Sequence, residues 1–327
     1  MRPIAPALAV GAALVATGGV HLTLGRDARA TTALSAPALL EPVTAIGLDV
    51  IPTDLVATRN DVWATVGIGG VIRVDLRSGH IVARIPTGGA VIAALANGNV
   101  WAVDVADDRL LEIDSRRGRV GRKLRVDGLP IAAAATPGRL WVIAQEHGSV
   151  TAVDTRSLRS SAVLRFAAAD LVPAAIVVAR RGVWLITNWG REVSMIDPET
   201  LEVVAHVATP SIDALAASAG LIWARRSPDG PAGLVRIDPR LLRANVVEPS
   251  GGAPITAIVG GESLYVAVPG AVLQLDPRTG ETVMRKRVSR SYRLTALAPV
   301  GRDLWAADET SGSLLRFRLP PRDARRR

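Results

Sequence analysis

Two carboxylates, Asp54 and Asp213, stand where metal chemistry would first be sought in this sequence. Each opens a short apolar run, DLVATR or DALAAS, and runs of this kind recur along the chain. Calcium takes about six to eight oxygen ligands from several directions. The other runs begin mostly with Val, Ile, Thr or Ala, so two carboxylates are too few. We therefore expect solvated or capping Asp residues, with no metal and no cofactor.

Acid–base catalysis would require a positioned histidine, and the chain has 4. His21 lies in an apolar N-terminal segment, and His80 and His206 lie in or beside predicted outer strands, which leaves His147 in a loop. A single loop histidine is more often an ordinary surface residue. No Ser/His/Asp set can be assembled, and no HExxH, Walker-type or GxGxxG motif is present. These observations favour a protein without a catalytic centre.

Trp189 has the clearest potential to bind a ligand or a partner. The other Trp residues recur at a regular interval, whereas Trp189 lies outside that series, in the loop TNWGRE with Asn188 and Arg191. An exposed aromatic ring beside an arginine can stack on a ligand or a partner. The alternative is that the ring covers its own loop. The further candidate contacts, all predicted near one face, are Asp54, Asp213, Arg225, Arg226, Arg293 and His147.

The regular interval defines a repeat of about 40 residues. Its first marker is an aromatic residue, found at Trp63, Trp101, Trp141, Trp184, Trp223, Tyr265 and Trp305. Its second marker is an Asp after an apolar residue, found at Asp75, Asp114, Asp154, Asp197, Asp238 and Asp276. Each unit contains four short strand-like runs, which we name a to d from the axis outward. A unit of this size and composition is typical of a propeller blade.

The repeat predicts an all-β, seven-bladed β-propeller over residues 42–319. Strand a is rich in Ala, which suits a crowded axis, and the aromatic residue is expected to fill the space between blades. The Asp is expected to open the turn from c to d by accepting a backbone N–H. Arg318 replaces this Asp in the last repeat, and the run VTAIGL (43–48) precedes the first Trp. We expect this N-terminal run to complete the last blade (3+1 closure).

The chain ends are predicted to lie outside the propeller. Residues 1–30 carry a long apolar run and an A-x-A pattern, which is typical of a signal peptide and also compatible with an N-terminal anchor. Export from the cytoplasm is therefore expected, with membrane contact only through this segment. Residues 31–41 are interpreted as a linker and residues 320–327 as a disordered basic tail. The chain contains no Cys.

The formal charge of +9 raises the question of a nucleic-acid partner. Of the 39 basic residues only Lys123 and Lys286 are Lys, and the Arg residues are scattered over most turns. No stripe of basic residues interleaved with aromatic residues is present. The pattern disfavours nucleic acid, and leaves a protein, a glycan or a small ligand as the partner of a monomer.

The fourth repeat, LITNWGREVSMIDPETLEVVAHV, resembles the repeats of YVTN-type β-propellers, in the Trp variant of exported actinobacterial proteins. The resemblance implies a binding or scaffold role outside the cytoplasm. Streptogramin lyases and lactonase-type hydrolases are related propellers, so an enzyme using Asp54, Asp213 or His147 is the alternative. The lyases use a pair of loop histidines, of which this chain offers only His147. The lactonases use an axial metal held by Glu, Asn and Asp, which the strand starts do not supply.

Overall fold

The structure, a computed structural model, describes residues 39–320 except 67–69, 88–90, 97, 127, 167–174 and 180–181. The described residues form seven antiparallel sheets of four strands each. The first sixteen strands are β1 (Thr44–Gly47), β2 (Asp54–Ala57), β3 (Asp61–Thr65), β4 (Val71–Asp75), β5 (Ile81–Ile85), β6 (Val91–Ala96), β7 (Asn99–Asp104), β8 (Arg109–Asp114), β9 (Arg119–Arg125), β10 (Pro130–Thr136), β11 (Arg139–Ala144), β12 (Ser149–Asp154), β13 (Ser160–Arg165), β14 (Ile176–Ala179), β15 (Gly182–Thr187) and β16 (Glu192–Ile196). The remaining strands are β17 (Val203–Ala208), β18 (Ile212–Ser218), β19 (Leu221–Arg226), β20 (Leu234–Asp238), β21 (Arg243–Val247), β22 (Ala257–Val259), β23 (Leu264–Val268), β24 (Ala271–Leu275), β25 (Thr282–Arg287), β26 (Leu294–Val300), β27 (Asp303–Asp308) and β28 (Ser313–Arg318).

The sheets are the blades of a ring. Blades 1 to 6 are built from consecutive strands, β2–β5, β6–β9, β10–β13, β14–β17, β18–β21 and β22–β25, and blade 7 contains β26, β27, β28 and β1. The inner strands β2, β6, β10, β14, β18, β22 and β26 each contact the next, and β26 contacts β2. The predicted all-β propeller of seven four-stranded blades is therefore confirmed.

The outer strand of blade 7 comes from the other end of the chain. β1 pairs antiparallel with β28, so that Thr44 lies opposite Arg316 and Ile46 lies opposite Leu314. This is the position predicted for the run at 43–48. The pairing satisfies backbone groups of β28 that would otherwise form an open sheet edge.

The repeated aromatic residues fill the interfaces between blades. Trp63 of blade 1 shares a buried cluster with Val100 and Leu111 of blade 2, and Trp305 of blade 7 shares one with Val62 of blade 1. The same rule holds at the other five interfaces, where the aromatic residues are Trp101, Trp141, Trp184, Trp223 and Tyr265. Because each ring buries roughly 150–250 Å² of surface, the repeated aromatic residues contribute strongly to the packing between blades.

The repeated Asp residues organise the c-to-d turns, as predicted. Oδ1 of Asp75 accepts hydrogen bonds from the backbone N–H of Arg77 (3.1 Å) and of Ser78 (2.7 Å). The equivalent pair of bonds is made by Asp114, Asp154, Asp197, Asp238 and Asp276. These backbone bonds hold the pKa of Asp75, Asp114, Asp154 and Asp276 below its usual value.

Several arginines belong to the blades rather than to the turns. The guanidinium of Arg73 lies 5.4 Å from the centre of the Trp63 ring and its Nε lies 2.8 Å from Oδ1 of Asp61. Arg316 repeats this arrangement over Trp305, with its Nε 2.9 Å from Oδ2 of Asp303. Part of the positive charge is thus used inside the repeat, which reduces the charge available for a nucleic-acid surface.

The predictions for both chain ends remain predictions. The leader, residues 31–38 of the linker and residues 321–327 of the tail lie outside the described residues. No helix in the described part of the chain is long and apolar enough to cross a membrane.

Candidate binding site on the loop face

The loops from b to c and the connections from d to the next a lie at the same end of the antiparallel strands. We call this end the loop face. Backbone hydrogen bonds tie the two kinds of loop together, from Val126 N–H to Asp108 O (2.8 Å) and from Thr209 N–H to Arg191 O (2.9 Å). These hydrogen bonds fix the loops relative to each other, so the loop face can hold side chains in defined positions.

Trp189 lies on this face in a single 3-10 turn, Asn188–Gly190. Three consecutive residues have positive φ angles, 50° at Asn188, 56° at Trp189 and 79° at Gly190. The indole is 58% exposed, and Asn188 and Arg191 are exposed beside it. A left-handed backbone costs about 1–2 kcal/mol for a residue with a Cβ. The ring is thus presented to solvent by a conformation that the surrounding structure must enforce.

A polar network lies directly beneath the Trp189 turn. Oγ1 of Thr187 lies 3.0 Å from Oε1 of Glu192 and 2.8 Å from Oγ of Ser194. Nδ1 of His206 lies 2.9 Å from the same Glu192 oxygen and 3.0 Å from Ser194 Oγ. Partial burial raises the pKa of Glu192, but the bonds from His206, Thr187 and Ser194 outweigh it and hold that pKa below its usual value. The network fastens both ends of the exposed loop.

The network has the residue types of a hydrolase triad but not its geometry. In a triad the acid and the nucleophile contact opposite nitrogens of the imidazole. Here Glu192 and Ser194 both contact Nδ1 of His206, and Ser194 is fully buried. Sequence reasoning placed His206 at the rim and missed this cluster. The available signal was the alternation of Thr187, Glu192 and Ser194 among apolar residues of β15 and β16.

Asp54 and Asp213 both line a cavity at the propeller axis. The cavity has a volume of about 560 Å³ and is bordered by inner-strand residues of blades 1, 3, 4, 5, 6 and 7. Within the described residues, no group of three or more His, Cys, Asp and Glu side chains is arranged to hold a metal ion.

The two carboxylates have different surroundings. Asp213 forms a two-bond ion pair with Arg225, from Nε to Oδ1 (2.7 Å) and from Nη2 to Oδ2 (2.9 Å). Arg225 also donates from Nη1 to the carbonyl of Thr256 (2.6 Å). Asp54 accepts only the backbone N–H of Leu55 at 2.7 Å and pairs with no cation among the described residues. Burial raises the pKa of Asp54 to about 6, and the Leu55 bond offsets part of that rise.

The other candidate residues are dispersed. Arg226 ends β19, and its Nε is buried with no hydrogen-bond partner in the part of the chain that the structure describes. Arg293 lies 3.1 Å from Glu309 in an exposed ion pair. His147 is exposed, and its imidazole packs over Gly128, where an added Cβ would lie 2.4 Å from Nδ1. None of these three residues lines the axial cavity.

No protein-family model matches the sequence. No curated protein matches it either. The YVTN assignment therefore rests on the resemblance of the repeats alone.

Solved structures share the fold at low sequence identity. A streptogramin B lyase superposes with a TM-score of 0.71 at 13% identity, covering 85% of this chain and 97% of its own. A catalytically inactive virginiamycin B lyase from Staphylococcus aureus with quinupristin gives 0.69 at 16%, covering 85% and 99%. The WD40 repeats of RRP9 give 0.72 at 12%, covering 86% and 100%. This chain is thus similar in fold both to enzymes and to WD40 proteins.

Proposed function

We propose that this chain is an exported, non-enzymatic binding protein that holds a protein partner on its loop face, with Trp189 as the central contact. The observation that carries the proposal is the 58% exposure of Trp189 in a left-handed turn. We expect a large apolar ring that is mostly exposed, on a backbone that costs energy, to add little to the stability of the free protein. It gains a role when a partner covers it.

The surroundings of Trp189 favour a protein over a small ligand. The indole does not line the axial cavity, so it offers a protruding anchor rather than the wall of a pocket. Trp and Arg are the residues most enriched among interface hot spots, and Arg191 is exposed directly beside Trp189. A partner that brings its own pocket suits this shape. A glycan or a small molecule is an alternative outcome of the test below.

Export is the second part of the proposal, and its support is the apolar leader and the A-x-A pattern at residues 1–30. Fractionation of cells producing the full chain tests it directly. We expect the protein outside the cytoplasm, and retention of the protein in the cytosol would remove this part. The protein-binding proposal would remain.

The enzymatic alternative has less support from the side chains. Asp213 is already engaged by Arg225, so its carboxylate is occupied by an internal cation. The Thr187, Glu192, Ser194 and His206 cluster lacks the order of contacts that nucleophilic catalysis requires. The fold similarity to lyases supplies no residue-level support, because fold does not determine function.

The binding experiment compares wild type with Trp189→Ala and with Leu241→Ala, an exposed apolar residue outside the loop face. Partners recovered from the envelope or culture medium of the source cells are identified and then titrated as purified proteins. We expect Trp189→Ala to weaken binding by tenfold or more, roughly the effect of losing one hot spot. Leu241→Ala should leave affinity unchanged. Equal affinity for wild type and Trp189→Ala would reject Trp189 as the contact.

Fluorescence quenching gives a second readout on the same residue. The other six Trp side chains are at most 1% exposed, so iodide should quench only Trp189. Bound partner should protect this emission from iodide, and Trp189→Phe should abolish the quenchable fraction. Quenching that is unchanged in the complex would show that the partner binds elsewhere.

A further inference from the structure

The axial cavity carries a carboxylate that no side chain in the described part of the chain neutralises. Its lining contains three charged side chains, Asp54, Asp213 and Arg225. Asp213 and Arg225 neutralise each other through two hydrogen bonds of 2.7 Å and 2.9 Å. The remaining charge is the carboxylate of Asp54, which has a single backbone hydrogen bond. Asp54 is half-buried, and a carboxylate that is withdrawn from water without a cation is costly, so such groups are usually paired.

The other residues that border the cavity are mostly aliphatic, and Thr53 and Thr295 each add a hydroxyl group. Leu55, Ile176, Leu215 and Val259 contribute aliphatic side chains. The inner strand of each blade is the end strand of its sheet, so one of its edges has no neighbouring strand within the sheet. Backbone carbonyls on this edge can accept hydrogen bonds from a ligand. The wall therefore combines one anion, neutral acceptors and aliphatic surface.

We propose that the axial cavity binds a small primary ammonium ligand with an aliphatic body, whose cationic nitrogen pairs with Asp54. A primary ammonium has three N–H donors, which one carboxylate and neighbouring carbonyls can satisfy. A quaternary ammonium fits less well, because such ions are recognised by aromatic rings and none of the described lining residues is aromatic. The volume of about 560 Å³ lies within the range of small-molecule sites. Trp189 does not line this cavity, so the inference is independent of the protein partner proposed above.

The ionisation of Asp54 gives the site a distinct pH dependence. The pKa of Asp54 is raised to about 6, so the carboxylate is largely ionised at pH 7.5 and largely protonated at pH 5. The other charged groups that line the cavity, Asp213 and Arg225, form an ion pair with each other. An alkylammonium stays protonated throughout this range. Its affinity should therefore fall about tenfold between pH 7.5 and pH 5.

The experiment is a ligand-observed NMR titration of the full chain with n-hexylammonium. Hexan-1-ol and hexanoate have the same aliphatic body with a neutral or anionic head group. We expect a dissociation constant of about 1 mM or tighter for the ammonium at pH 7.5, and at least tenfold weaker binding of the alcohol and the carboxylate.

Asp54→Asn tests the assigned contact, because it removes the charge and keeps the shape. Binding of n-hexylammonium should weaken at least tenfold. The matched control is Asp49→Asn, which makes the same chemical change at a side chain that is 93% exposed and should leave affinity unchanged. The tenfold pH effect on wild type keeps the test decisive if Asp54→Asn does not fold.

Four results would overturn the proposal. They are absence of n-hexylammonium binding to wild type, equal binding to Asp54→Asn, equal affinity for hexan-1-ol, and affinity that does not change between pH 7.5 and pH 5. Calcium is titrated separately, and binding of calcium without binding of the ammonium would assign the site to a metal ion instead.

Discussion

Trp184 and Trp189 belong to the same blade but occupy opposite environments. Trp184 is in the repeat register, is 0% exposed and shares a buried cluster with Ile222 and Ile237 of the next blade. Trp189 is outside the register, is 58% exposed and lies in a left-handed turn. Residues that follow the period build the ring, and a large residue that departs from the period is free to serve another purpose.

The largest expected effect distinguishes the two indoles by stability. Trp184→Ala should lower the free energy of unfolding by about 3–5 kcal/mol, because it leaves a cavity between two blades. Trp189→Ala should change it by less than about 0.5 kcal/mol, as surface substitutions usually do. Urea unfolding followed by circular dichroism measures both. Similar losses in the two variants would show that Trp189 is part of the core and would contradict the proposed difference between the two indoles.

A smaller effect tests the strain at Trp189. Gly tolerates a positive φ angle and Ala does not, so Trp189→Gly should be more stable than Trp189→Ala by about 1 kcal/mol. At Val204, an exposed residue of the extended strand β17, the order should reverse, with Val204→Ala more stable than Val204→Gly. Thermal unfolding of the four variants provides the test. If the Ala variant were more stable than the Gly variant at both positions, the turn at Trp189 would store no strain.

The smallest effect concerns the network beneath the turn. The folded-state pKa of Glu192 is lowered from 4.5 by bonds that outweigh desolvation. Its ionised form therefore stabilises the fold above about pH 4.5, and this contribution is lost as the pH falls through the folded pKa. Glu192→Gln should be less stable than wild type at pH 7, and the difference should shrink toward pH 3.5. Urea midpoints at the two pH values measure it. A constant difference would assign the effect to packing alone.

Much of the architecture could be predicted from the sequence because each repeat contains two recognisable residues, an aromatic residue and an Asp. The aromatic residues mark the interfaces, and the Asp residues mark the c-to-d turns through local hydrogen bonds within three residues of themselves. Both signals are local or periodic. The position of β1 followed from the missing outer strand in the last repeat.

The site was less predictable because it depends on cross-strand register. Asp213 meets Arg225 through a register shift between Ile212 and Ala214, and no propensity argument locates such a shift. His206 meets Ser194 only because the two lie opposite each other on β17 and β16. The difference between Asp54 and Asp213 depends on one neighbouring arginine. Trp189 could be singled out from the sequence because it interrupts the period, but its exposure and its left-handed backbone could not.

The pairing of Thr44 with Arg316 in blade 7 also has a consequence for biosynthesis. The ribosome makes β1 first and β28 last, so the earliest strand waits for nearly the entire chain before it finds its neighbour. The ring can close only after synthesis is almost complete. A product that terminates early lacks this closing pair and keeps unpaired strand edges that can associate with other chains. The same latch brings the beginning and the end of the propeller side by side, so a short peptide could join them and new ends could be opened in a turn elsewhere.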